Sequence, residues 1–176
     1  IVQNAGGVGM RVFGNNNTIN GVVIRNNYIW GLYVAYDGDE RRFDNRNPIS
    51  AIGNRILDVV AYGNSENCTN REIGQPGQPP CENSNSDGIV ISNGRDNLVS
   101  NCTVFNNADD GVDVWVSYRS RVQNCLIYSN GVNDRGQKIG NGNGIKGGSH
   151  AGYEPRPNGH TFINNRVFNH PHGVNL

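Results

Sequence analysis

Apolar and polar positions alternate along this chain in short runs, and the runs share one order. In NLVSNCTVFNN (97–107), RVQNCLIYSN (121–130) and TFINNRVFNH (161–170), a polar and apolar start leads to an asparagine and a small residue. Alternating apolar positions follow and close on an aromatic and a polar turn. VVIRNNYIWG (22–31) and NRILDVVAYGN (54–64) fit the same frame. The frame asparagine falls at Asn26, Asn101, Asn124 and Asn164, with Asp58 in the same slot. Asn101 and Asn124 stand 23 residues apart, and the wider gaps elsewhere are what insertions would make. A second column runs Gly31-Leu32, Gly88-Ile89, Gly111-Val112, Gly144-Ile145 and Gly173-Val174, and Gly88 to Gly111 is again 23 residues.

Two motifs sharing one period mark a repeated structural unit. The segments are too short for helix pairs, and Asn, Gly and Asp turns bound them. The pattern predicts an all-β chain of strands of about four to six residues, wound as a parallel β-helix with coils of about 22–23 residues. No coil buries its inner face alone; stacked coils do so through ladders of Val, Ile and Leu. Scarce leucine argues against a leucine-rich repeat, and a propeller would need antiparallel blades. The frames leave insertions at about 35–50, 65–85 and 131–158, where a solenoid commonly places its binding loops. The expectation is one β-helix domain over residues 1–176, open to being part of a longer solenoid.

Composition narrows the class. Glycine is abundant at 24 residues, and only 17% of positions are charged, which is not the profile of a disordered chain. Fifteen acids balance fifteen bases, so no global field draws the chain to nucleic acid or to anionic lipid. No apolar stretch approaches a membrane span. Cys68 and Cys81 bracket a polar loop rich in Gly, Pro and Gln. A disulfide at the base of that loop would suit a secreted, extracellular protein; a zinc site is the competing reading, without a CxxC pair to support it. Cys102 and Cys125 sit in matching contexts and are expected to be buried, stacked small residues rather than a bridge.

The candidate chemistry gathers around the glycine column. Asp87 precedes Gly88, Asp110 precedes Gly111 with Asp109 before it and Asp113 two after, and Lys146 stands two after Gly144. Coils stack about 4.8 Å apart. Aligned columns would bring Asp87, Asp109, Asp110 and Asp113 together, with Lys146 in the column of Asp113. Asp-Gly is also a common turn pair, and Asp87 alone would be read as one. Together, crowded carboxylates raise one another's pKa unless a cation intervenes. Calcium, with six to eight oxygen ligands and flexible geometry, suits them better than magnesium, and zinc would want His or Cys.

SDGI (86–89), NNADDGVDVW (106–115) and GNGIKGG (142–148), with NCTVFNN and NCLIYSNG flanking them, resemble the family 9 pectate lyases over roughly residues 85–176. The resemblance implies a right-handed β-helix, a Ca2+ cofactor held by Asp87, Asp109, Asp110 and Asp113, and Lys146 as catalytic base. It further implies β-elimination on an acidic, uronate-containing polysaccharide by a secreted enzyme, expected to be a monomer. A lysine base beside calcium would favour an alkaline optimum. Where that family has bulkier aromatics after its glycines, this chain has Ile89, Val112 and Ile145.

Two other functions remain open. A β-helix glycoside hydrolase of the polygalacturonase type also uses aspartates one coil apart, but its Gly-His-Gly is absent here. A non-catalytic carbohydrate-binding β-helix would hold calcium structurally, and would have no need of a lysine beside the aspartates. Trp115 is a candidate for stacking a sugar ring, DGDE (37–40) for a second ion, and Arg119 or Arg121 for a substrate carboxylate. The histidines at 150, 160, 170 and 172 show no metal spacing.

Overall fold

The computed structural model describes residues 1–35, 51–65, 85–132, 137–148 and 159–176. Among the described residues the chain is all strand and turn, and three parallel sheets stack into a right-handed β-helix. Sheet A holds β1 (Val2–Gln3), β4 (Val23–Arg25), β7 (Val60–Tyr62), β10 (Thr103–Phe105), β13 (Leu126–Tyr128) and β16 (Arg166–Phe168). Sheet B holds β2 (Met10–Phe13), β5 (Leu32–Ala35), β8 (Ile89–Ser92), β11 (Val112–Trp115), β14 (Asn143–Gly148) and β17 (His172–Asn175). Sheet C holds β3 (Thr18–Asn20), β6 (Arg55–Leu57), β9 (Leu98–Ser100), β12 (Arg121–Gln123) and β15 (Thr161–Ile163).

Each rung sends one set of small and branched apolar side chains inward. Ile24, Ala61, Val104 and Ile127 come from sheet A, Leu32, Ile89, Val112 and Ile145 from sheet B, and Ile56, Val99 and Val122 from sheet C. All of these are fully buried. Burying one such side chain contributes about 1.5–3 kcal/mol, so the stack rather than any single coil carries the fold. On the outside of sheet A, Tyr62, Phe105, Tyr128 and Phe168 stack with centroids 4.8, 4.9 and 5.4 Å apart. These four form an outward aromatic ladder.

Side-chain ladders close the turns. From sheet A to sheet B the buried residues Asn27, Asn64, Asn107 and Asn130 bond from coil to coil. Asn27 Nδ2 donates to Asn64 Oδ1 at 2.9 Å, Asn64 Nδ2 to Asn107 Oδ1 at 2.8 Å, and Asn107 Nδ2 to Asn130 Oδ1 at 2.8 Å. His170 takes the last place, where its Nδ1 accepts the Asn130 N–H at 3.2 Å. The spacing between successive members is 37, 43, 23 and 40 residues, so only one step is free of insertion. Asn17, Asn54 and Asn97 form a second ladder before sheet C.

Two expectations change, and that for the two cysteines holds. Asp58, Asn101, Asn124 and Asn164 do share one slot, the left-handed turn after sheet C, with φ of 53–57°. Asn26, with φ 55°, occupies the turn after sheet A with Gly63, Asn106, Ser129 and Asn169; its register differs because Gly21 fills the sheet C slot in that coil. Both turns need positive φ, which Asn, Asp and Gly tolerate, so composition alone does not tell the slots apart. The span 131–158 is not one excursion, because β14 inside it is a full rung of sheet B. Cys102 and Cys125 are buried free thiols on adjacent coils, the Cys102 N–H lying 3.4 Å from Cys125 Sγ. Cys68, Cys81, His150 and DGDE (37–40) lie outside the described residues.

Candidate functional site

In four of the five coils, at Gly31, Gly88, Gly111 and Gly144, the glycine column leaves no room for a Cβ; at Gly173 the space is open. A Cβ on Gly88 would lie 2.9 Å from the Gly111 carbonyl and 2.7 Å from Asn107 Nδ2; one on Gly111 would lie 2.6 Å from the Gly144 carbonyl and 2.8 Å from Asn130 Nδ2. Each glycine therefore lets a coil settle against the asparagine ladder, and it sets the register of the residues around it. Val112 pairs with Ile89 and Ile145, so Asp113 stands between Val90 and Lys146 on the outer face of sheet B.

The residue before each glycine forms its own ladder. Asp87 Oδ1 accepts the Asp110 N–H at 2.8 Å. Asp110 Oδ1 accepts the Asn143 N–H at 2.7 Å and its Nδ2 at 2.8 Å. Lys146 Nζ donates to Asp110 Oδ2 at 2.9 Å and to Asp113 Oδ2 at 2.8 Å. Asp87, Asp110 and Asp113 are buried, with ligand oxygens within 4.8 Å of one another. Asp109 is placed differently: its Oδ1 accepts the backbone N–H groups of Asn141 and Gly142, and it stands outside the three-carboxylate group.

Burial dominates the electrostatics. It pushes the Asp87 carboxyl well above the usual range, with the charges of Asp113, Asp110 and Asp109 adding to it. Burial and then Asp110 push Asp109 up to about 7. Burial pushes Asp113 up to about 6, although Lys146 opposes it. For Lys146, burial pulls the ammonium down, but Asp113 and Asp110 together outweigh it and hold it above its ordinary value. The lysine is thus the internal counter-charge of the group.

The residues fit a hard cation. Three carboxylates offer oxygens only, which suits calcium better than a softer metal. Asp113 Oδ1 and Asn143 Oδ1 are buried without a hydrogen-bond partner, so two acceptors next to the group are unspent. Asn143 was not singled out as a ligand from sequence, although its place before Gly144, in the column of Asp87 and Asp110, was the available signal.

The site opens into a cavity of about 570 Å³ lined by Asp87, Asp113, Lys146, Trp115, Tyr33 and Trp30, among others. Lys146 Nζ lies 5.1 Å from the centre of the Trp115 ring, and Trp30 stacks on Tyr33 at 4.5 Å. His172 and Asn175 also line the cavity, at the β17 end. Arg119 turns elsewhere, to a paired contact with Asp96, and His160 packs on Phe162.

Fold and site define a right-handed parallel β-helix with an acidic, lysine-bearing groove on one face. The chain belongs to the right-handed β-helix family, whose region model matches residues 1–176. Its structure is similar to that of the pectate lyase Pel9A, with a TM-score of 0.59 and 23% identity over 84% of this chain and 34% of that one. It is also similar to the enzymatically active domain of tailspike protein 2 of bacteriophage CBA120, with a TM-score of 0.58 and 15% identity over 99% of this chain and 19% of that one. The full-length tailspike protein 2 of the Escherichia coli O157:H7 phage gives 0.57 and 16% over 84% and 16%. The chain thus spans about a third or less of each neighbour, and at these identities the likeness establishes the fold. No curated protein matches the sequence.

Proposed function

We propose that the sheet B groove is the active site of a calcium-dependent polysaccharide lyase acting on a uronate-containing, pectate-like polymer. The observation that carries this reading is Lys146, in the groove and within 2.9 Å of two of three buried carboxylates. A binding protein needs no lysine beside those aspartates. Asp87, Asp110 and Asp113 would hold the cation, with Asn143 beside them; Asp109 would brace the loop at 141–142 that frames the site. Bound calcium would supply positive charge beside the substrate carboxylate, where negative charge develops.

β-Elimination begins with loss of the weakly acidic proton next to the substrate carboxylate. Lys146 would accept it, once Asp110 and Asp113 no longer hold it as an ammonium. The electron pair left behind forms the ring double bond as the glycosidic oxygen departs and takes a proton from water. Trp115 and the Trp30–Tyr33 stack offer apolar surface for sugar rings. Such a polymer is met outside the cell, so a secreted location accompanies this reading.

The test is incubation with a panel of uronate polymers, with calcium and with chelator, following ultraviolet absorbance. Absorbance that grows only with calcium supports elimination. New reducing ends without absorbance would favour hydrolysis instead.

A further inference from the structure

Lysine and cation would claim the same carboxylates. Lys146 Nζ bonds to Asp110 and Asp113, two of the three residues whose oxygens lie within 4.8 Å of one another. Calcium reaches its oxygen ligands at about 2.3–2.6 Å, so an ion serving all three must sit between them. The ammonium already stands 2.9 and 2.8 Å from two of those groups. Two positive charges so close, in buried surroundings, repel strongly, and each lysine bond uses a lone pair the ion needs. The lysine also has somewhere to go. Its side chain is 19% exposed, its Nζ lies 5.1 Å from the Trp115 ring centre, and both residues line the cavity. Its flexible four-carbon stem can carry the ammonium outward along that ring.

We propose that Lys146 is a tethered counter-ion, occupying the carboxylate group when the divalent cation is absent and setting how tightly that cation binds. This rests on the cation reading above and adds to it a competition within the site. The lysine keeps the buried aspartates compensated before the ion arrives, and the ion's affinity is what remains after displacing it. Removing the lysine charge therefore tightens cation binding. If Lys146 merely braced Asp110 and Asp113 for the ion, its removal would weaken binding instead.

The experiment is calorimetric titration of calcium chloride into chelator-stripped wild type, Lys146→Met, Lys146→Gln and Lys146→Arg. Methionine keeps the apolar stem without the charge. Glutamine keeps one donor for the carboxylates and serves if the methionine variant does not fold. The neutral variants should bind calcium at least about tenfold more tightly than wild type, within the range typical of coupled sites. Lys146→Arg should bind no more tightly than wild type. Unchanged or weaker binding by the neutral variants, with wild type still binding, overturns this inference and leaves the cation site standing. Absence of binding by every variant and by wild type overturns both.

Discussion

Gly111→Ala tests the link between the glycine column and the site. The added Cβ would lie 2.6 Å from the Gly144 carbonyl, 2.6 Å from Ile127 Cγ2 and 2.8 Å from Asn130 Nδ2, all closer than a real Cβ approaches. The carbonyl belongs to the next coil's backbone, and the amide belongs to the asparagine ladder. Neither yields cheaply. Overpacking a core costs about 1–3 kcal/mol, and a broken buried hydrogen bond about the same again. Alanine returns about 0.4–1 kcal/mol by restricting the unfolded chain. The net loss is about 1–5.5 kcal/mol, which at about 2 kcal/mol per molar urea lowers the midpoint by about 0.5–2.8 M. Gly173→Ala is the control, because nothing lies within 4 Å of its Cβ and only the favourable effect remains. Urea unfolding followed by the fluorescence of Trp30 and Trp115 measures both. Midpoints for the two variants within about 0.3 M of each other, below the smallest expected shift, would refute the packing argument and with it the reason for the column.

Three other outcomes are expected. Calcium at about a hundred times its Kd should stabilise wild type by about 2.7 kcal/mol, a rise in Tm of about 5–10 °C, and Asp110→Ala should lose that rise in calorimetry. Lys146→Ala should reduce unsaturated-product absorbance by at least about a hundredfold while the circular dichroism spectrum and calcium binding survive; near-wild-type turnover would remove the lysine from its role as base. Asp109 titrates near 7 in the fold, against about 3.9 unfolded, so the native state binds the extra proton between those values. In chelator, wild type should therefore lose stability relative to Asp109→Asn as pH rises from about 4 to about 7, and stay level above. A difference in Tm between the two proteins that does not change over that range would show that the Asp109 carboxyl is not held protonated.

The repeat was legible in one dimension because stacking forces it: residues filling equivalent places in successive coils face equivalent neighbours. Gly111-Val112 and Gly144-Ile145 therefore predicted the pairing of β11 with β14, and hence Asp113 beside Lys146. Asn26 was misplaced because two different turns need the same left-handed residue, and only the strand pairing separates them. The buried ladder from Asn27 to His170 was not recognised, since insertions stretch its spacing between 23 and 43 residues and its last member changes type.

What the sequence by itself determined was the period, the inward Val and Ile ladders and the candidate residues, because all three follow from spacing. Tertiary structure decided which carboxylates face one another. Asp109 and Asp110 are chain neighbours, yet successive backbone positions diverge. One oxygen of Asp109 serves the loop at 141–142, while Asp110 turns to Asn143 and Lys146. Whether acids close in sequence form a site depends on those directions and on burial, and neither is written in spacing.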